Sequence, residues 1–191
     1  MRFDDSSTMR LYRQTIEDFG LYPGMELEAA DMKKLRDAAS ALSAKMRAVR
    51  IVSASSVSKK DLEQRLIHKG EDAEKAKAAV EWMAELDLID DRKTAQQVVN
   101  RCISKGYGVQ RAKQALYEKR IPKAYWDEVL EDYPDQQEKI LDFLQNKLGN
   151  QWDERELRKA VDALIRRGHS YGTIRKAMEI LSMELEDLRE E

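Results

Sequence analysis

Residues 58–83 read SKKDLEQRLIHKGEDAEKAKAAVEWM, and this stretch decides the fold. Ser58 stands three residues before Asp61, the S-x-x-D spacing in which a hydroxyl accepts from a backbone N–H of the first helical turn. Leu62, Leu66 and Ile67 follow on one face of a helical period. Gly70 is where a helix in that register stops, because glycine enters the left-handed region without a Cβ penalty. A second helix starts near Asp72, with Ala76, Ala79, Val80 and Met83 at i, i+3, i+4 and i+7. The stretch is a helical hairpin whose inner face must be covered.

The same pattern recurs along the chain. A shift of 50 residues turns Leu62, Leu66 and Lys69 into Ala112, Leu116 and Lys119, and Ala76, Ala79 and Val80 into Trp126, Val129 and Leu130. A shift of 98 gives Ala160, Leu164 and Arg167, then Ile174, Ala177 and Met178, with Gly70 landing on Gly168. Leu66, Leu116 and Leu164 should therefore occupy equivalent buried sites. A third helix fits after the first hairpin, with Asp91 as cap, Ala95, Val98, Val99 and Cys102 on one face, and Gly106 closing it. Its counterpart carries Leu141, Leu144 and Leu148, with Pro134 in the first turn. The chain reads as all-α: an N-terminal lead-in over 1–56, three-helix repeats over 57–107 and 108–150, and a truncated repeat over 151–191. Units of about 45 to 50 residues bury too little alone and lean on their neighbours, so the expectation is an elongated, curved array. In the lead-in, Leu21-Tyr22-Pro23-Gly24 reads as a turn and Met32, Leu35, Ala39, Leu42 and Met46 as an amphipathic helix. Residues 10–19 are ambiguous between strand and helix.

Composition narrows the function. Of 191 residues 37% are charged, against about 25% in an average domain, so much of the chain must face water, as in a thin, surface-rich array. A single cysteine, Cys102, excludes an intramolecular disulfide framework, and no Cys/His cluster offers zinc ligands. A reducing cytoplasm is the expected compartment, with no metal and no cofactor. No run approaches the roughly 18 to 20 apolar residues of a membrane span. His68 and His169 each sit beside a helix-ending glycine, where surface placement is expected, and neither has a nucleophile at motif spacing. Gly106-x-Gly108 lacks the third glycine and strand of a dinucleotide loop, and no phosphate-binding G-x-x-x-x-G-K-[ST] occurs. These features point to a binding protein, not an enzyme.

The net charge of −2 hides a local asymmetry: between Arg101 and Lys123 bases outnumber acids seven to one, and between Asp127 and Asp142 the ratio is reversed. Cations in a last helical turn complement the macrodipole by about 0.3 to 1 kcal/mol, which accounts for His68-Lys69, Lys105, Lys119-Arg120 and Arg166-Arg167 without a partner. Arg111 and Lys113 fall in first turns, where positive charge works against the dipole. With Arg101, Lys105 and Lys123, and with Arg175 and Lys176 on the third hairpin, they are candidate contacts for an acidic partner surface or phosphates. They are expected to line one face, with the acidic run turned elsewhere. Tyr107 and Tyr171 mark hairpin bends over which their rings should pack. Trp82 and Trp126 read as packing residues, and Trp152 as a staple before a helix capped by Asp153.

Arg101-Cys102-Ile103-Ser104-Lys105-Gly106-Tyr107-Gly108, continuing to Arg111, Leu116 and Lys119-Arg120-Ile121, resembles the R-x-x-x-K-G-x-G segment and following helix of the RecX regulators of the RecA recombinase. Ser58-x-x-Asp61-Leu62 with Leu66 and Lys69-Gly70 is similar to that family's S-x-x-E-L motif, and Leu88-Ile89-Asp90-Asp91 with Ala95 to its D-D turn. The likeness runs from about residue 47 to 180. Three departures weaken residue-level transfer: Thr94 where an aromatic is usual, Ser56 and Val57 where arginines are common, and Arg120 in place of a glycine. The resemblance implies a monomeric modular protein that lies in the groove of a RecA filament on single-stranded DNA. There it would limit filament growth, ATP turnover and SOS-inducing activity, with at most a weak contact to the DNA. The residues alone leave two other readings open, a helical-repeat scaffold for another protein and a direct nucleic-acid-binding module.

Overall fold

The computed structural model describes the backbone of residues 8–148 and 153–190 and the side chains of 8–148 and 153–182. From residue 57 onward the described residues contain helices and turns and no strand. The chain divides into two compact units, Met1–Asp90 and Asp91–Glu191.

The first unit holds α1 (Arg13–Asp18), α2 (Ala29–Ala54), α3 (Lys59–His68) and α4 (Ala73–Glu85). The ambiguous stretch is thus helical over 13–18. Between α1 and α2 the chain turns as expected: Met25 N donates to Tyr22 O at 3.2 Å and Gly24 has φ +84°. This is a type II turn with proline second and glycine third. Ser58 caps α3, its Oγ accepting from Asp61 N at 3.0 Å, and Asp72 caps α4 by accepting from Glu74 N and Lys75 N.

α2 is where the sequence expectation needs correcting. It does not stand apart as a lead-in, because its Ala44 and Ala48 belong to one core with Leu62, Leu66, Ala76, Ala79 and Met83. Small side chains on both α2 and α4 let the two helices approach closely. The inward stripe is Leu35, Ala44 and Ala48, and Met46 lies exposed on the other side.

The second unit contains α5 (Asp91–Ser104), α6 (Val109–Glu118), a 3-10 turn (Lys123–Tyr125) running into α7 (Trp126–Leu130), α8 (Gln137–Leu148), α9 (Glu154–Arg166) and α10 (Tyr171–Glu190). Ala95 and Val99 of α5 share a core with Leu116, Ile121 and Val129. Ile140, Leu144 and Leu148 of α8 share one with Ala160, Leu164, Ile174 and Ala177. Each hairpin is therefore covered by the helix before it, and the expected boundaries at 57–107, 108–150 and 151–191 cut across the packing. The groups are α2–α4, α5–α7 and α8–α10, and the last is not truncated. An apolar stripe shows that a helix has a buried side but not which neighbouring hairpin covers it. Two smaller expectations also shift: Asp91 is the first helical residue of α5, and Pro134 precedes α8, whose entry is held by Asp135 Oδ1 accepting from Gln137 N at 3.1 Å. Gly149 and Trp152 lie outside the described residues.

The repeat register itself holds to the level of single hydrogen bonds. Leu66, Leu116 and Leu164 are all buried, at 0%, 0% and 1% exposure. Their carbonyls accept from Glu71 N, Ile121 N and His169 N at 3.1, 3.0 and 3.2 Å, the long-range bond of a Schellman closure. The residue just before each donor has positive φ: Gly70 at +88°, Gly168 at +86° and, without glycine's freedom, Arg120 at +53°. Trp126 replaces the fully buried Ala76 and Ile174, and being larger it sits at the rim of its core, its indole donating to Ile121 O at 3.1 Å.

Candidate functional site

The second unit is organised around the meeting of two turns, the α5–α6 turn at 105–108 and the α9–α10 turn at 167–170. Gly108 N donates to Arg167 O at 2.9 Å and Gln110 N to Gly168 O at 3.3 Å. Orphan N–H groups at the start of α6 are thereby satisfied by orphan carbonyls at the end of α9, positive dipole end against negative. The backbones touch. A Cβ at Gly108 would lie 2.1 Å from Gly168 O, and one at Gly168 would lie 2.3 Å from Arg111 N. Side chains reinforce the contact: His169 Nε2 donates to Gly106 O at 3.0 Å, and Tyr133 Oη donates to Tyr107 O at 2.7 Å.

Ionisable groups here are shifted by burial. His169, expected at the surface, is 7% exposed; desolvation lowers its pKa below the ordinary imidazole range, and Arg167 pushes the same way against the Gly106 hydrogen bond. Its donation to a carbonyl requires the neutral Nε2–H tautomer or the cation, and burial favours the neutral form. Burial raises the Cys102 thiol, while Arg111, Lys105 and Arg101 draw it down. Tyr133 is pushed up to about 12, first by burial and then by the neighbouring Cys102.

Beside the locked turns lies a cleft of about 250 Å³ lined by Tyr107, Arg111, Ala163, Arg166 and Arg167. Arg111 Nη1 is 3.0 Å from Glu118 Oε1, the Arg167 guanidinium lies 4.3 Å from the Phe143 ring centroid, and Lys105 Nζ lies 5.9 Å from the Tyr107 ring. Cations held against rings and a single carboxylate keep N–H donors available for a further acceptor.

Of the residues expected to form one face, Arg101 lies in the last turn of α5, Lys105 follows that helix and Arg111 lies near the start of α6, where only Arg111 lines the cleft. Lys113, two residues beyond Arg111, projects from a different side of α6 and is exposed. Lys123 opens the 3-10 turn, and Arg175 is paired with Glu179 at 2.9 Å on α10 beside exposed Lys176; none of these is among the residues lining the cleft. The cleft instead recruits Arg166 and Arg167, which helix electrostatics alone had accounted for. Tyr107 is half-buried beside its bend, whereas Tyr171 is 67% exposed and does not pack over its own. Among the described residues no group of three or more His, Cys, Asp or Glu is placed to hold a metal, and no helix is long and apolar enough to cross a membrane.

Comparison with known proteins agrees with this architecture. A family model described as the second three-helix domain of RecX matches residues 90–130, the span of α5–α7. A regulatory protein RecX from Stenotrophomonas maltophilia is 31% identical over 123 residues, covering 63% of this chain and 76% of the relative. One from Vibrio parahaemolyticus is 28% identical over 149 residues, covering 76% and 94%. A crystal structure of a regulatory protein RecX superposes with a TM-score of 0.68 at 20% identity, over 93% of this chain and 91% of that one. At that identity it speaks for the fold alone.

Proposed function

This chain belongs to the RecX family of regulatory proteins, and from that premise we infer that it binds the RecA recombinase filament on single-stranded DNA in the cytoplasm and restrains its growth and ATP turnover. The observation that supports a location for the contact is the convergence of Arg111, Arg166 and Arg167 on one cleft, with Lys105 near the ring of Tyr107 in its wall. The turns beneath it are locked backbone to backbone, so the charges are presented without a large ordering cost on binding. Complementary charge chiefly sets encounter rate and partner choice, which suits a regulator that must find one filament among many polyanions. Arg101, Lys113, Lys123, Arg175 and Lys176 extend the candidate surface beyond the cleft.

The test is single-stranded-DNA-dependent ATP hydrolysis by RecA of the same organism, with this protein added below stoichiometry. A fall in rate and in filament lifetime is expected. Lys105→Glu with Arg166→Glu should raise the protein concentration for half effect by at least about tenfold while the circular dichroism stays that of the wild type and the melting temperature falls by only about a few degrees, the helix-end contribution of the two charges. An unchanged hydrolysis rate with wild-type protein would remove the functional reading, and full potency of the double variant would remove the site.

A further inference from the structure

The first unit carries a basic cleft of its own, which the reading above does not use. It measures about 390 Å³, and its walls include Tyr12 at the start of α1, Arg47 and Arg50 of α2, Arg65 of α3, and Lys69 at the end of α3. Two of the four cations are set in place by acids beneath them. Arg47 Nε lies 2.8 Å from Glu71 Oε1 and its Nη1 donates to Lys69 O at 2.6 Å. Ser43 Oγ donates to the same Glu71 oxygen at 2.9 Å, and the Glu71 side chain is only 7% exposed. Arg65 Nη2 lies 2.9 Å from Oδ2 of Asp61, whose side chain is 6% exposed.

A guanidinium offers five N–H donors in one plane, so these bonds fix the orientation of each arginine and leave donors for an incoming oxygen. Arg50 and Lys69 are exposed and bring two further charges, so four cations stand over two buried acids. Helix electrostatics does not account for Arg47 and Arg50, because neither lies in the last turn of α2. The volume suits a group of nucleotide size better than a flat protein surface. A ring beside clustered cations is the pairing that holds single-stranded nucleic acid, cations on the phosphodiester and ring on the unstacked base.

We propose that this cleft is a subsite for one nucleotide of a single-stranded nucleic acid, with Arg47, Arg50, Arg65 and Lys69 toward its phosphate and Tyr12 toward its base. It stands apart from the recombinase reading, and its test contains no recombinase. The full chain is titrated into a labelled single-stranded oligonucleotide and into the matching duplex, by fluorescence anisotropy over a salt series. Arg50→Gln with Lys69→Gln removes two exposed charges and leaves the buried pairs intact. Affinity for the single strand should fall about tenfold, with the slope of log K against log salt shallower by about 1.4 for two lost phosphate contacts. Tyr12→Ser should cost about fivefold or more on the single strand and nothing on the duplex, whose bases stay stacked. Wild-type affinity and slope in the double variant, with its circular dichroism and melting unchanged, would overturn the proposal. So would a wild-type chain that binds no oligonucleotide.

Discussion

The turns after α3 and after α9 are built alike and used differently. Both follow a cation, Lys69 or Arg167, with a glycine near φ +87°, and both close on a leucine carbonyl. At Gly70 an added Cβ would meet nothing within 4 Å, whereas at Gly168 it would meet the backbone of Arg111. The neighbouring histidines diverge in the same way, His68 exposed and His169 buried. One local code thus serves a plain chain reversal in the first unit and a docking point in the second. A left-handed glycine explains the turn, and only its absent Cβ explains the junction.

The largest effect should separate these two roles. Gly168→Ala drives a methyl into backbone that cannot rotate away and should cost about 3 kcal/mol or more, and Gly108→Ala should behave alike. Gly70→Ala carries only the left-handed penalty of about 1 kcal/mol. Thermal unfolding of the three variants checks the ranking, and equal losses at 70 and 168 would erase the distinction.

A smaller change of opposite sign is expected at the second hairpin, where Arg120 takes the same closure at φ +53°. Arg120→Gly should stabilise by up to about 1 kcal/mol, or about 2–4 °C in Tm, since it relieves that strain. A lowered Tm would mean that the arginine side chain holds more than the backbone loses.

The smallest effect at neutral pH, growing only in acid, belongs to His169. Its folded pKa lies below the unfolded value of about 6.5, so the unfolded chain takes up the proton first. The stability it contributes is full above pH 6.5 and declines as pH falls from there toward the folded pKa. His169→Gln should flatten that part of the stability–pH curve. An acid limb identical to that of the wild type would show that the junction does not sense protonation.

Much of this fold was legible because its determinants are local. The Ser58 box, the Asp153 cap, which accepts from Glu156 N at 2.7 Å, and the three leucines at matching offsets each depend on residues within one turn or one helical period. The site was legible only in part. Arg111 stood out because its charge opposes the dipole of α6, and the structure answers that by setting the end of α9 against it. Arg166 and Arg167 were hidden because a good local reason for them already existed. Lys123, Arg175 and Lys176 carry the same sign of charge away from the cleft, a separation that spacing cannot reveal.

By itself, then, the sequence determined the helices from α2 onward, the Ser58, Asp72 and Asp153 caps, the repeat register and the membership of each hairpin, because side-chain periodicity and backbone preference act over a few residues. The tertiary structure decided which helix covers which hairpin, that His169 is buried, and that Gly108 meets Gly168 across 60 positions of chain. Those outcomes depend on which of several apolar faces finds its complement in space. Such a choice is made by close packing and by the pairing of orphan backbone groups, and neither leaves a periodic mark on the chain.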